Sequence, residues 1–226
     1  LVKVQKPPLT AVTINRNEES KFFTEWKKIP SDSIAPVFVD FNTAINRKQI
    51  SEGLELNTIQ TTNSELFSVY YVINAGKDNI KKAPLAVNYL PYVGTSKHTA
   101  TELKQELYRY GLSTSVFSSN NRSYVYVSGL NRNLEKGIQI LEEIINNSLP
   151  DTAAYAKYAE RMIKERDDAK LNQDNILFTG LMNYAMYGNK SSQTDVFSNE
   201  EIRKQNPEEL IQFVKTIVKY PHKVFY

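Results

Sequence analysis

Cysteine is absent from these 226 residues. That excludes disulfides, thiolate metal sites and cysteine nucleophiles, and it leaves the compartment open, because a disulfide-free chain suits reducing and oxidising surroundings alike. Histidine is scarce. His98 and His222 are the two in the chain, and neither stands in an HExxH or HxxEH frame; both read as surface or strand residues. Eight glycines include no phosphate-cradling loop and no Gly-x-Ser-x-Gly elbow; Gly76, Gly94, Gly111 and Gly188 read as strand and helix ends. No Ser/His/acid grouping suggests itself. No apolar run approaches the ~20 residues that span a bilayer, so no membrane span is expected. The formal charge is +3, with basic residues in pairs such as Lys27-Lys28 and Lys81-Lys82. A nucleic-acid partner would call for a denser basic stripe. The first residues, Leu1-Val2-Lys3-Val4, are neither an initiator Met nor a signal peptide. The last, His222 to Tyr226, read as a strand cut off as it starts. Both ends suggest a piece of a longer protein.

What is present is enough for a folded domain. Hydrophobic residues make up 41%, sufficient for a core and unlike a disordered chain. Residues 1–36 read as a connector, punctuated by Pro7-Pro8, Pro30 and Pro36, with the polar run Asn15 to Ser20 and the aromatics Phe22, Phe23 and Trp26, which are expected to pack along a domain surface. Residues 37–226 read as one domain. Val37 to Phe41 and the alternating Leu54 to Ile59 predict strands. The nearly continuous Leu66 to Ile73 predicts a central strand covered on both faces. Pro84 opens a short helix that Pro91 and Gly94 stop. Thr99-Ala100-Thr101-Glu102 is a capping box before a helix with Leu103, Leu107 and Tyr110 on one face, ended by Gly111. Strands Leu112–Ser118 and Ser123–Ser128 pair around Asn120-Asn121, where asparagine tolerates a positive φ. Leu134, Ile138, Leu141 and Ile145, widened by Ile140 and Ile144, mark the clearest amphipathic helix. Pro150-Asp151 starts a charged helix over about 152–173. Ile176 to Met182 continue as helix to Gly188, a second capping box stands at Ser198 to Glu201, and Asn206-Pro207 opens the last helix. Strands first, helices in a block and a hairpin between them predict an α+β fold, a mainly antiparallel sheet with helices on one face.

The stretch Leu85 to Thr95 carries a resemblance. With the segment after it, it resembles the signature region of the pitrilysin/insulinase family of zinc metallopeptidases. Active members place His-x-x-Glu-His a few residues before a Gly-Thr pair. Counted back from Gly94-Thr95, Leu85, Asn88 and Tyr89 stand where the first His, the Glu and the second His would be. Leu85 has no lone pair for zinc and Asn88 is no general base. Val127-Ser128-Gly129-Leu130 before Asn133-Leu134, and Leu149-Pro150-Asp151, are similar to the family's passages into its next helices. The similarity covers roughly residues 50–226. It implies a non-catalytic domain of the C-terminal half, with no catalytic, metal or cofactor residues here and zinc held in the catalytic half of the parent. The implied partners are that half, in the same chain or another subunit, and a peptide substrate held in a chamber between halves. An extracytoplasmic location is a further expectation, from bacterial relatives.

Three alternatives stay open. The family implies a chamber-wall role in proteolysis, with an extended peptide pairing to a sheet edge. It also has members that lost catalysis and serve as structural or assembly subunits. A stand-alone binding module is the third. The family's third zinc ligand is a downstream Glu, and Glu160 and Glu165 lie at about that distance. Without the histidines, and with Arg161, Lys164 and Arg166 around them, they read as a solvated helix face rather than as metal ligands. Fourteen tyrosines, among them Tyr70, Tyr71, Tyr89, Tyr92, Tyr124 and Tyr126, suit either side-chain pockets of a peptide chamber or half-buried sheet positions.

Overall fold

The computed structural model describes residues 18–31, 33–36, 38–60, 64–191 and 194–226. Pro7-Pro8, Asn15 to Asn17 and Val37 lie outside them. The chain divides into two compact units, Leu1–Asp40 and Phe41–Tyr226. In the first, Ser20 caps helix α1 (Lys21–Trp26) by accepting from the Phe23 amide at 3.1 Å. The rings of Phe23 and Trp26 stack 5.7 Å apart, and every residue of α1 is exposed. Phe38–Asp40 form no strand, and Phe41 begins a single helical turn, α2 (Phe41–Ala44). Without Val37, the described part of the β-rich run is too short to make a strand of its own.

The second unit is built on a six-stranded sheet in the order β1 (Asn46–Ser51), β2 (Leu54–Thr58), β6 (His222–Phe225), β3 (Leu66–Ile73), β5 (Ser123–Leu130), β4 (Leu112–Ser118). Every pairing is antiparallel except β2 with β6. The α+β, mainly antiparallel expectation holds. The C-terminal strand is not peripheral: β6 fills the middle of the sheet between β2 and β3. β1 escaped sequence reading because Asn46-Arg47-Lys48-Gln49-Ile50-Ser51 has no apolar alternation. It is an exposed edge strand, held by a turn in which Gly53 adopts φ 76°, a region closed to most side chains.

β3 corrects one expectation. Phe67, Val69 and Ile73 are buried, while Leu66 and Tyr70 on the alternate positions are exposed. The strand is therefore covered on one face and not on both. Aromatic residues explain its apolar look: on the open face the Tyr70 ring stacks on Tyr126 at 4.9 Å, and Phe117 stacks on Tyr124 at 4.6 Å. These cross-strand pairs shield one another without a second layer.

Helices α3 (Ala83–Tyr89), α4 (Ala100–Arg109), α5 (Leu134–Asn147), α6 (Thr152–Ala169), α7 (Met182–Tyr187), α8 (Asn199–Lys204) and α9 (Pro207–Ile217) follow in sequence order. A π-helical segment, Asn175–Leu181, leads into α7. Both capping boxes form: Thr99 with Glu102 at α4 and Ser198 with Glu201 at α8. Asn206 caps α9 through the Glu208 amide at 2.9 Å. The covered sheet face, α3, α5 and α9 share one core that includes Val127, Leu141, Ile145, Leu210 and Val214. The 119–122 turn uses no positive φ outside glycine. It closes by a Ser119 amide to Arg122 carbonyl bond of 2.8 Å, so the asparagines serve through ordinary backbone and not through a left-handed one.

The buried stripe of α5 is displaced from the expected one. Leu141 and Ile145 are buried, but Leu134 and Ile138 are half-buried, and Gly137 and Ile140 take their places in the core. Gly137 is the reason. A Cβ there would stand 2.9 Å from Phe67 Cζ and 3.2 Å from a Val127 methyl, so the line of closest approach between helix and sheet runs through it. Gly137→Ala pits a helix-propensity gain of about 1 kcal/mol against overpacking of a buried ring, typically about 1–3 kcal/mol. Net destabilisation is expected, read as a lower urea midpoint.

Candidate functional site

α3 carries Leu85, Asn88 and Tyr89. Pro84 sits in its first turn and a 3-10 turn, Leu90–Tyr92, ends it at Pro91. Leu85 is 3% exposed and Tyr89 is completely buried, while Asn88 is half-buried. The Tyr89 hydroxyl donates to the Asp151 carbonyl at 2.6 Å and accepts from the Asp151 amide at 3.0 Å. Asp151 is the N-cap of α6, its carboxylate accepting from the Ala154 amide at 2.9 Å. One phenol thus ties the end of α3 to the start of α6.

α6 returns two more tyrosines to the same place. Tyr158 donates to the Leu85 carbonyl at 3.3 Å, and Tyr155 donates to the Ile202 carbonyl at 2.6 Å. The Tyr89 ring meets Tyr155 edge-on at 5.3 Å and lies nearly parallel to Tyr158 at 5.9 Å. Tyr92 packs 5.2 Å from Tyr158, and the Arg161 guanidinium covers Tyr92 at 5.2 Å. Burial pushes the Tyr89, Tyr155 and Tyr158 phenols up, Tyr155 to about 12. They stay protonated near neutral pH and act as hydrogen-bond donors, not as bases or phenolate ligands. Of the tyrosines, Tyr89 and Tyr92 join this knot, and Tyr70, Tyr124 and Tyr126 line the open sheet face. No sequence spacing announced the knot, since Tyr89 and Tyr158 lie 69 positions apart.

The residues at hand do not fit a catalytic zinc, which needs three protein ligands and an open water position. Leu85 offers no donor, and the hydroxyl of Tyr89 is committed to the backbone of Asp151. Glu160 is held by Arg203 through bonds of 2.7 and 3.3 Å, and this pairing keeps its carboxyl below the usual range. Glu165 pairs with Arg161 at 3.2 Å. Both glutamates are well exposed, at 60% and 62% of the side chain. They decorate a solvated helix face. Among the described residues no three His, Cys, Asp or Glu side chains are grouped to hold a metal.

The Gly94-Thr95 pair has a structural role of its own. The Thr95 hydroxyl accepts from the amides of Lys97 and His98 and donates to the Glu143 carboxylate. His98 Nδ1 meets the same carboxylate at 2.9 Å. Burial opposes ionisation of Glu143, but the bonds from Thr95 and His98 outweigh it and hold its carboxyl below the ordinary value. The loop continues as a bridge between Thr95 and Ser148. At Gly94 a Cβ would stand 2.6 Å from the His98 carbonyl, so only glycine lets the loop close. His98 is a clamp between loop and α5. His222 hydrogen-bonds to the Tyr220 carbonyl at 2.8 Å and stacks on Tyr71. Glu143 was not legible as the partner of Thr95 and His98, because beside Glu142 it reads as an ordinary helix acid.

One sheet edge offers a place for an extended chain. β4 ends the sheet and pairs on one side, with β5. Beside it a cavity of about 360 Å³ is lined by Leu90, Pro91, Leu103, Leu107 and Val116, among others. Unsatisfied strand edge next to an apolar pocket is the geometry of strand addition, with main-chain bonds for affinity and the pocket for a side chain.

Residues 86–197 match the model of the insulinase family, peptidase family M16. The chain carries a domain of the M16 (insulinase/pitrilysin) family. It is 22% identical over 187 residues to the beta subunit of the mitochondrial-processing peptidase of Dictyostelium discoideum, covering 80% of this chain and 40% of that protein. It is 21% identical over 138 residues to the human mitochondrial cytochrome b-c1 complex subunit 1, covering 61% of this chain and 29% of that protein. A peptidase M16 inactive domain from Pseudomonas fluorescens has the same fold, with a TM-score of 0.66 at 12% identity over 80% of this chain and 46% of that one. The chain spans less than half the length of the curated relatives it matches. No helix of the described residues is long and apolar enough to cross a membrane.

Proposed function

We propose that this chain is a non-catalytic domain of an M16 metallopeptidase, from its C-terminal half, that forms part of a peptide-holding chamber and supports cleavage by a zinc-bearing catalytic half. The observation that carries the reading is the tyrosine knot. On the resemblance, the two histidine positions of an active member fall at Leu85 and Tyr89, and both side chains are packed in the core, with Tyr89 hydrogen-bonded to Asp151. What the domain can do chemically is hold an extended peptide at the β4 edge and seat a side chain in the cavity beside it. Positioning of this kind lowers the barrier by pre-arranging the reactants, without contributing a reacting group.

A second reading is a structural or assembly subunit without a part in proteolysis. It is favoured by the similarity to a cytochrome b-c1 complex subunit. Truncation separates the two. Deleting residues 37–226 from the parent protein is expected to lower peptide cleavage at least tenfold, a loss of about 1.4 kcal/mol or more of transition-state stabilisation, while the catalytic half keeps its zinc. Cleavage at the full rate after truncation would move the structural reading ahead.

A further inference from the structure

The two edges of the sheet differ in how they can meet another chain. β1 carries Arg47 and Lys48 and shifts register between Gln49 and Ser51, and charges and irregularities of this kind keep an edge strand from pairing. β4, from Leu112 to Ser118, holds no charge and no proline and pairs in regular register with β5. That register sets Val116 opposite the buried Val125 and Phe117 opposite Tyr124. Successive side chains of a strand added to β4 therefore fall alternately on the α4 side, toward the cavity of about 360 Å³, and on the open face beside Phe117.

The cavity sets the chemistry of what it takes. Its volume is at the lower end of ligand pockets, about 300–1,000 Å³, which suits one large side chain. Leu103, Leu107, Val116 and Ile144 give it apolar walls, and Lys104 is the one charged residue of its lining. Lys104 is exposed and, among the described residues, takes part in no ion pair. The acids of its own helix are engaged elsewhere: Glu102 with the Thr99 amide at 2.7 Å, and Glu106 with Arg109 and Lys136. We infer that the β4 edge selects extended peptides that seat a bulky apolar residue in this cavity and carry an acidic residue two positions away, on the same side of the strand. Leu107 sets the first preference by apolar contact, and Lys104 the second by charge. A basic residue at the second place meets Lys104 and no acid, and is disfavoured. The inference rests on the peptide-holding role proposed above and goes beyond it by naming the class of peptide.

Fluorescence anisotropy of the full chain with labelled heptapeptides tests it, the peptides having leucine at the centre, aspartate two positions to either side and threonine elsewhere. Serine at the centre should weaken binding about tenfold or more, the worth of burying one large apolar side chain. Lysine in place of both aspartates should weaken it about threefold, as for an exposed ion pair, and less so in high salt. Lys104→Glu should reverse the order of the aspartate and lysine peptides with an unchanged thermal unfolding curve. Leu107→Lys should weaken the leucine peptide and not the serine one; because Leu107 packs partly against the core, its unfolding curve is recorded alongside, and the Lys104 reversal stands independently of it. Backbone N-methylation of the leucine peptide at alternate residues should abolish binding. Equal affinity for the leucine and serine peptides, or an order unreversed in Lys104→Glu, overturns the inference, while binding that stays sensitive to methylation leaves strand addition standing. No binding of any peptide, or binding indifferent to methylation, removes the β4 edge from the peptide-holding role and the inference with it.

Discussion

Restoring the family's residues with Leu85→His, Asn88→Glu and Tyr89→His is expected to destabilise the domain severely and to create no tight zinc site. Leu85 and Tyr89 are core. A histidine at 89 removes the hydroxyl that bridges both backbone groups of Asp151, and one at 85 places a polar ring among apolar neighbours. Each buried polar group left unpaired costs roughly 1–3 kcal/mol, and the lost packing of a large side chain adds about 2–5 kcal/mol. The sum approaches the whole stability of an ordinary domain, roughly 5–15 kcal/mol. Even in a molecule that stayed folded, Glu160 and Glu165 point into ion pairs and supply no third ligand. Urea unfolding with metal analysis of the refolded variant checks both parts. A stable triple variant holding one zinc would show that the site was merely silent.

The second large effect is expected at Tyr89 alone. Tyr89→Ala should lose about 3–5 kcal/mol, as for other large buried side chains, and Tyr89→Phe about 1–3 kcal/mol, because the Asp151 amide then lacks its partner, while the Asp151 carbonyl keeps only the Tyr155 amide. The difference between the variants isolates the hydroxyl. Loosening of the α6 start should accompany both and be visible as faster amide exchange at Ala154 and Tyr155. If Tyr89→Phe is as stable as the parent chain, the phenol is not the tie between α3 and α6.

Local chemistry was legible in the sequence, and long-range placement was not. Thr99 with Glu102, Ser198 with Glu201 and Asn206-Pro207 announced helix starts, because a cap is satisfied within three residues. The Leu112–Ser118 hairpin strand and the helix of Leu141 and Ile145 followed from periodicity. β1 did not, since an edge strand needs no apolar alternation. The one-sided burial of β3 did not either, because aromatic residues look equally apolar whether a helix or another ring covers them. At the candidate site, Leu85, Asn88 and Tyr89 could be singled out only through the resemblance. Their surroundings, Tyr155 and Tyr158 arriving from α6 and Glu143 clamping Thr95 and His98, depend on side chains brought together across dozens of residues.

The account holds that this domain serves without metal of its own. Equilibrium dialysis of the purified chain against zinc, with peptide cleavage assayed on the same sample, tests that most directly. The account predicts no stoichiometric zinc and no cleavage. One tightly held zinc per chain, lost in Glu160→Gln or Glu165→Gln, would contradict it.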